Sequence, residues 1–492
     1  MKLYPIICIE THVQLNTVTK LFCSCLNEFV PDLPNKNICP FCSGQPGALP
    51  NLNAEAVKKA ILFGVAVKAK IPAKTRWDRK NYFYPDSPAG YQISQYDNPI
   101  VEGGIVEFYA EDKNTGQFSK HSVELTRAHL EGDAGKLLHV NNKTLVDFNR
   151  SGCPLVEIVT EPVIEEAKVA MGYVSELQLL VRRLGVSDAD MDKGQMRFDC
   201  NLSMRTEEEY KLGKLPSYKV EVKNINSVRA LGRAIEYEIK RQTQLLENGE
   251  KPSQETRGWR DDMNRSESQR SKEAADDYRY FPDPDLQILE IGSADVPAES
   301  ELPELPMQQR TRYFDCGLSI QIVNTLVSRS ELGKYFDEAL VIFQHKNTIE
   351  NSKDNEIIKT TANLITILVS FEEKLNKLAN NLISPENLIR IAELFTDKKI
   401  NNQVVQKLIE IVAENPDLNV DDAASQNGLL QLNDDKALEA FVDLVIQNNP
   451  KVVQEYQSGK IQVVGFLVGQ CMKESKGKGN PGKFKEMLEE RM

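Results

Sequence analysis

The strictest pattern in the chain is Met196-Arg197-Phe198-Asp199-Cys200-Asn201-Leu202-Ser203-Met204-Arg205, apolar at every even position and polar at every odd one. A repeat of two puts alternate side chains on opposite faces of a strand, one entering a core and the other open. The open face then carries Arg197, Asp199, Asn201, Ser203 and Arg205 in a row. Lys219-Val220-Glu221-Val222-Lys223 repeats the pattern and sets Glu221 between two lysines. Ile9-Glu10-Thr11-His12-Val13-Gln14-Leu15 does likewise, with Glu10, His12 and Gln14 on one face. Such stripes fit the solvated side of an antiparallel sheet. Several such faces rich in Glu, Asp, His and Arg in one domain raise a sharper option, a concave sheet whose carboxylates and imidazole hold Mg²⁺ while arginines clamp phosphate oxygens, a site for phosphoryl transfer.

Elsewhere the spacing is helical. Val169, Val174, Leu177, Leu180 and Val181 recur near a period of 3.6 and predict a helix over 165–184. Near residue 295 the chain changes character, from short alternating segments to almost wholly helical sequence. Between them, Val296-Pro297-Ala298 through Pro303-Glu304-Leu305-Pro306 is proline-rich and predicts a linker. Ser384-Pro385-Glu386 has the N-cap serine, first-position proline and early acid of a helix start. Pro416-Asp417 and Asn427-Gly428 predict turns, and a helix over 436–447 should break at Asn449-Pro450. Gly465 and Gly469 share one face of a helix over 461–474, where small residues admit a close packing contact. The expected architecture is α+β: a sheet domain over 1–295, a helical domain over 296–412 and a helical tail over 413–492.

At 492 residues the chain exceeds what one core usually serves. No apolar run approaches the ~18–20 residues of a membrane span, and Met1-Lys2-Leu3-Tyr4-Pro5 lacks a signal-peptide layout, so a cytoplasmic protein is expected. A net charge of −12 argues against a general nucleic-acid coat. Residues 451–492 nonetheless carry eight Lys/Arg against five Glu, which permits a local RNA contact or a solvated helix face.

Nine cysteines are present, and four cluster as Cys23-Ser24-Cys25 and Cys39-Pro40-Phe41-Cys42. Two close pairs at loop spacing suit a structural tetrathiolate Zn²⁺ site, closed to catalysis and able to fold a loop that has little core of its own. Cys8, Cys153, Cys200, Cys316 and Cys471 are expected to be buried and inert. The segment from Gly477 to Phe484 imitates the Gly-x4-Gly-Lys of a P-loop. Phe484, however, stands where a Ser or Thr should meet the metal, and a helical run precedes it in place of a strand. Any ATP site must be built differently.

Longer strings point to a family. Arg79-Lys80-Asn81-Tyr82-Phe83-Tyr84-Pro85-Asp86, His129-Leu130-Glu131-Gly132-Asp133, Val146-Asp147-Phe148-Asn149-Arg150, Glu157-Ile158-Val159-Thr160-Glu161-Pro162, Lys223-Asn224-Ile225-Asn226-Ser227 and Asp277-Tyr278-Arg279-Tyr280-Phe281-Pro282 fall in order, with the strand around His12 before them. With Gly465-Phe466-Leu467-Val468-Gly469-Gln470 and Lys478-Gly479-Asn480-Pro481, the chain resembles the GatB/GatE family of tRNA-dependent amidotransferases over nearly its whole length.

The resemblance implies a glutamine-synthetase-like antiparallel cradle, a helical middle and a YqeY-like tail that hold tRNA. The implied reaction is phosphorylation by ATP and Mg²⁺ of the side-chain carboxylate of Glu-tRNA(Gln) or Asp-tRNA(Asn). Ammonia from a partner amidase then displaces the phosphate. A small third protein makes up the heterotrimer, and neither DNA nor a membrane is a partner. Carried over by position, Glu10, His12, Glu131 and Glu221 are candidate Mg²⁺ ligands, and Asp199 lies on the same acidic rim. Arg150, Arg197 and Lys223 are candidate phosphate or carboxylate clamps, Tyr82 and Tyr84 candidate stacking or core residues. Lys473, Lys476, Lys478 and Asn480 are candidate tRNA contacts. The family's usual second acid after Glu131 is Gly132 here, which keeps open an alternative: a tRNA-binding scaffold without catalysis.

Overall fold

The computed structural model describes residues 2–28, 30, 32–112, 115–271, 275–346, 352–369, 383–415, 418–431, 435–475 and 479–492. The chain divides into two compact units, Met1–Gln308 and Gln309–Met492. Among the described residues no helix is long and apolar enough to cross a membrane.

The first unit is sheet-rich. Its strands are β1 (Leu3–Gln14), β2 (Lys74–Thr75), β3 (Asp78–Asn81), β4 (Tyr91–Ser94), β5 (Val101–Glu102), β6 (Ile105–Glu111), β7 (Phe118–Gly132) and β8 (Lys136–Val140). They continue as β9 (Lys143–Asp147), β10 (Pro154–Thr160), β11 (Met196–Thr206), β12 (Val220–Ile225), β13 (Glu255–Arg260), β14 (Arg265–Ser271), β15 (Phe281–Pro282) and β16 (Leu289–Glu290). Among the described residues one sheet has nine strands, in the order β14-β13-β12-β11-β1-β10-β7-β5 with β6 beside β7. The purely antiparallel sheet expected from the pattern has one exception, because β12 and β13 run parallel. The helices of this unit include α1 (Ala54–Ala66), α2 (Ala167–Arg183), α3 (Glu207–Lys211) and α4 (Val228–Glu247), and α4 is the long crossover that the parallel pair requires.

The apolar positions of the alternating strands do what their pattern predicts, whereas Asn201, Ser203 and Arg205, expected on an open face, are buried. Ile7, Ile9 and Val13 of β1 and Phe198, Cys200 and Leu202 of β11 are buried on one face. They share a core with Val174, Leu177, Leu180 and Val181 of helix α2 (Ala167–Arg183), which answers the helix predicted over 165–184, and with Leu231 and Ile235 of α4. Each such side chain contributes about 1.5–3 kcal/mol by leaving water. That anchors the opposite, polar face. Ser227 caps α4 by accepting from the Ala230 amide. Val296, Leu302 and Leu305 of the expected linker pack against this core as well. Cys153, Cys200 and Cys471 are buried as expected, but Cys8 and Cys316 are only half-buried. Cys8 lies on the polar face and donates its thiol proton to the Thr160 carbonyl.

The second unit is helical and holds two apolar cores. The first gathers residues from Tyr313 to Ala424. In it the helix Pro385–Thr396 starts as predicted, with Ser384 accepting from the Asn387 amide, and the helix Val420–Gln426 ends at Asn427 with Gly428 left-handed at φ +60°. The turn expected at Pro416-Asp417 lies outside the described residues. The second core joins the helices Asp435–Asn448, Val464–Glu474 and Pro481–Arg491 through Leu438, Val442, Leu467, Cys471, Phe484 and Leu488. Phe484, the residue that spoils the P-loop pattern, is buried at its centre. Gly465 and Gly469 make no close packing contact: a Cβ added at either would meet nothing within 4 Å among the described residues.

Candidate active site and metal sites

Register decides which polar side chains meet. β1 lies between β10 and β11, placing His12 opposite both Glu157 and Arg197, and Glu10 opposite Asp199. β10 in turn sets Glu157 opposite His129 of β7 and Leu155 opposite Glu131. Three adjacent strands, β1, β10 and β7, therefore bring two imidazoles and two carboxylates onto one open face. The His12 Nε2 lies 3.5 Å from Glu131 Oε1 and 3.5 Å from Glu157 Oε2, and His129 Nε2 lies 3.3 Å from Glu157 Oε2. His12, Glu131 and Glu157 each offer a ligand atom within 4.8 Å of the others.

Charge is concentrated and partly shielded here. Burial alone would lower the His12 pKa, but Glu157 and then Glu131 outweigh it and the net shift is upward. Burial likewise opposes ionisation of Glu157, yet His129 and His12 hold it well below the usual carboxylate range. Neither Glu157 nor His129 stands out as a site residue in the sequence. The available signal was a single acid inside the otherwise apolar run Leu155–Val159, because a charge on an apolar strand is costly unless paired or used.

The remaining candidates flank this group. Asn201 donates to Glu10 Oε1 at 2.6 Å, and Lys219 Nζ lies 3.9 Å from the same oxygen. Lys223 Nζ lies 3.3 Å from Asp199 and 3.6 Å from Glu221, while Thr256 donates to Glu221 at 2.8 Å. The clamp candidates Arg150 and Arg197 are brought together by one carboxylate: both bind the buried Asp133, Arg197 at 2.8 Å. Burial opposes the ionisation of Asp133, and Arg197 and Arg150 override it, holding its pKa at about 2.

Gly132, where the resemblance leads one to expect a second acid, does not touch the His12 group. Along β7, His129 and Glu131 share the face that carries the His12 group, and Leu130 and Gly132 alternate with them on the other. A Cβ at position 132 would meet Gly152 Cα at 3.5 Å and the Phe22 ring at 3.7 Å. An acid there would leave the strand on the side away from His12 and Glu157.

A cleft of about 1230 Å³ opens over these residues, lined by His12, Glu131, Asp133, Arg197, Asp199 and Lys223 on the sheet and by Lys80, Tyr82, Tyr84 and Tyr278 on surrounding segments. A smaller hollow of about 290 Å³ adjoins it around Glu10, Glu157 and Glu221. Tyr82 and Tyr84 are not core residues: their rings stand 6.3 Å apart at 21°, and Tyr84 is 57% exposed. Lys80 Nζ sits 4.8 Å over the Tyr278 ring, on the wall common to both spaces.

The cysteine pairs also converge. The Sγ atoms of Cys23, Cys25, Cys39 and Cys42 lie within 4.8 Å of one another, with Cys25–Cys42 at 3.9 Å and Cys39–Cys42 at 3.8 Å. The edge of an S₄ tetrahedron around zinc is about 3.8 Å, given Zn–S bonds of about 2.3 Å. The donor set therefore fits that ion. In the second unit Lys473 is exposed on the helix Val464–Glu474, and Asn480 caps the helix Pro481–Arg491 by accepting from the amides of Gly482 and Lys483. Lys476 and Lys478 lie outside the described residues.

Comparison with known proteins bears on this arrangement. A family model described as the GatB/GatE catalytic domain matches residues 5–296, and one described as a GatB domain matches residues 345–492. The B subunit of the aspartyl/glutamyl-tRNA(Asn/Gln) amidotransferase of Gloeothece citriformis is 39% identical, over 99% of this chain and 97% of its own. The protein of that name from Campylobacter jejuni is 40% identical over 99% of both chains. The B subunit of the chloroplastic/mitochondrial glutamyl-tRNA(Gln) amidotransferase of Physcomitrium patens is 40% identical over 99% of this chain and 85% of its own. Matched along its whole length, the chain belongs to the GatB/GatE family, the B subunits of tRNA-dependent amidotransferases.

Proposed function

We propose that this chain activates the side-chain carboxylate of Glu-tRNA(Gln) or Asp-tRNA(Asn) with ATP and amidates it, within a heterotrimer that also holds an amidase and a small third protein. The observation that carries this reading is the convergence of His12, Glu131 and Glu157 on the open sheet face, flanked by Glu10, Asp199 and Glu221 and by cationic side chains. One face with this chemistry suits a glutamine-synthetase-like cradle. Two carboxylates and an imidazole fit Mg²⁺, which when bound neutralises charge on phosphate oxygens. The chain's own task is positioning, which dominates phosphoryl transfer. Lys80, Lys223 and Arg197 line the cleft as counter-charges for the triphosphate and the acceptor carboxylate.

An acceptor carboxylate oxygen attacks the γ-phosphorus and ADP leaves, giving an acyl phosphate. Ammonia then attacks the acyl carbon and inorganic phosphate departs, which turns a poor acyl donor into one with a leaving group. The helical middle and tail hold the tRNA, with Lys473, Lys476, Lys478 and Asn480 as candidate contacts, and the four cysteines hold a structural zinc. The test is acyl-phosphate formation from γ-labelled ATP by the assembled complex on misacylated tRNA. Glu10→Gln should abolish that step and leave tRNA binding intact. A wild-type complex that binds the tRNA but forms no acyl phosphate would overturn the proposal.

A further inference from the structure

Lys20 is fully buried at 0% exposure, a costly place for an ammonium group. Its Nζ donates to two neutral acceptors, the carbonyls of Asn37 at 2.8 Å and Phe148 at 3.2 Å. Among the described residues no carboxylate pairs with it. The cysteine cluster lies beside it. Its backbone amide donates to the Cys25 carbonyl at 2.9 Å. From Gly152, a Cβ would lie 3.9 Å from both Lys20 Cδ and Cys42 Cβ, so the lysine stem and Cys42 flank the same glycine.

Four thiolates around a dication leave a net double negative charge, which a buried ammonium partly cancels. We propose that Lys20 is the counter-ion of the tetrathiolate zinc site, a positioning residue that stabilises the loaded cluster through its charge. The inference rests on the zinc reading above. It makes a prediction with two signs. With zinc, the charge of Lys20 faces a doubly negative cluster; without zinc it keeps only the two carbonyls that its Nζ bonds.

The experiment takes full-length protein and measures zinc content, zinc release to a chromogenic chelator, and the thermal midpoint with and without zinc. Lys20→Met should release zinc roughly tenfold faster or more, the usual effect of losing a group that supports a metal ligand. Its metal-free midpoint should equal or exceed that of the wild type. Lys20→Arg, which keeps the charge, should release zinc at close to the wild-type rate. Unchanged release from Lys20→Met, or an equal fall of both midpoints, would overturn the proposal. So would failure of both variants to fold with zinc present, since the site would then need the lysine's shape and not its charge. Wild-type protein that binds no zinc would instead remove the zinc reading itself.

Discussion

Glu157 shows how much a single residue's neighbours matter. In sequence it is one acid in an apolar strand; in the fold it sits between His12 and His129 and lines the smaller hollow beside the cleft. Replacing it by glutamine keeps its size and removes the charge that holds both imidazoles. Glu157→Gln should therefore slow acyl-phosphate formation by more than about a hundredfold, the scale of losing one preorganised electrostatic group. Retention of misacylated tRNA on a filter should stay within about twofold. Equal loss of both would mean that Glu157 supports the fold and not the chemistry. Asp133 teaches the same lesson from the other side. Arg150 and Arg197 are free cations in the sequence, yet both are held by this one carboxylate, so the aim of Arg197 over the cleft depends on it.

Among the elements, β12 is where alternation alone runs out. Its pairing with β11 shifts register between Phe198 and Cys200, and Asn224 takes a left-handed conformation at φ +64°. Asparagine tolerates that region better than most residues, and such positions gather at functional sites. The register that pairs Cys200 with Val222 already sets Lys223 beside Asp199, two residues along the strand from Glu221, and the bulge follows directly after. Behind the sheet, the support is close packing. A Cβ added at Gly172 of α2 would stand 2.8 Å from the Phe108 ring of β6 and 3.2 Å from Ala110 Cβ. Gly172→Ala should cost about 1–3 kcal/mol through overpacking, read as a lower midpoint in thermal denaturation. An unchanged midpoint would show that α2 can move off the sheet at little cost.

For the molecule as a whole, the second unit's two cores say where the chain can be cut. Val420, Ala423 and Ala424 are buried in the first core, with Leu429 and Leu430 packed against it, so removal of everything after residue 412 would open that core. A truncation after Gln431 leaves it intact and removes only the last one. In the assembled complex this shortened chain should show a Michaelis constant for tRNA raised roughly tenfold or more, the turnover changing far less. An unchanged constant would take the tail out of tRNA binding.

Alternation and helical periodicity reveal the elements because they express one fact, that apolar side chains must leave water on one side. β1, β11, α2 and the helix at Pro385 are legible for that reason, and so are Glu10, His12, Asp199 and Glu221 as polar-face residues. The cysteine spacing is legible because thiolate chemistry demands four ligands close together. Strand order is not legible. Glu157 and Glu131 join His12 only because β10 and β7 follow β1 in the sheet, and the β1–β10 pairing spans more than a hundred residues and leaves no local trace. The direction of Gly132 is likewise set by the pleat of β7 and by what lies behind it, and Lys20 gains its meaning only when the chain folds it against Cys42. Residue order is enough to say which faces are polar, which segments are helical and which cysteines can meet. Which charges share a site is settled only in the folded chain, because an electrostatic interaction depends on separation in space and not along the backbone.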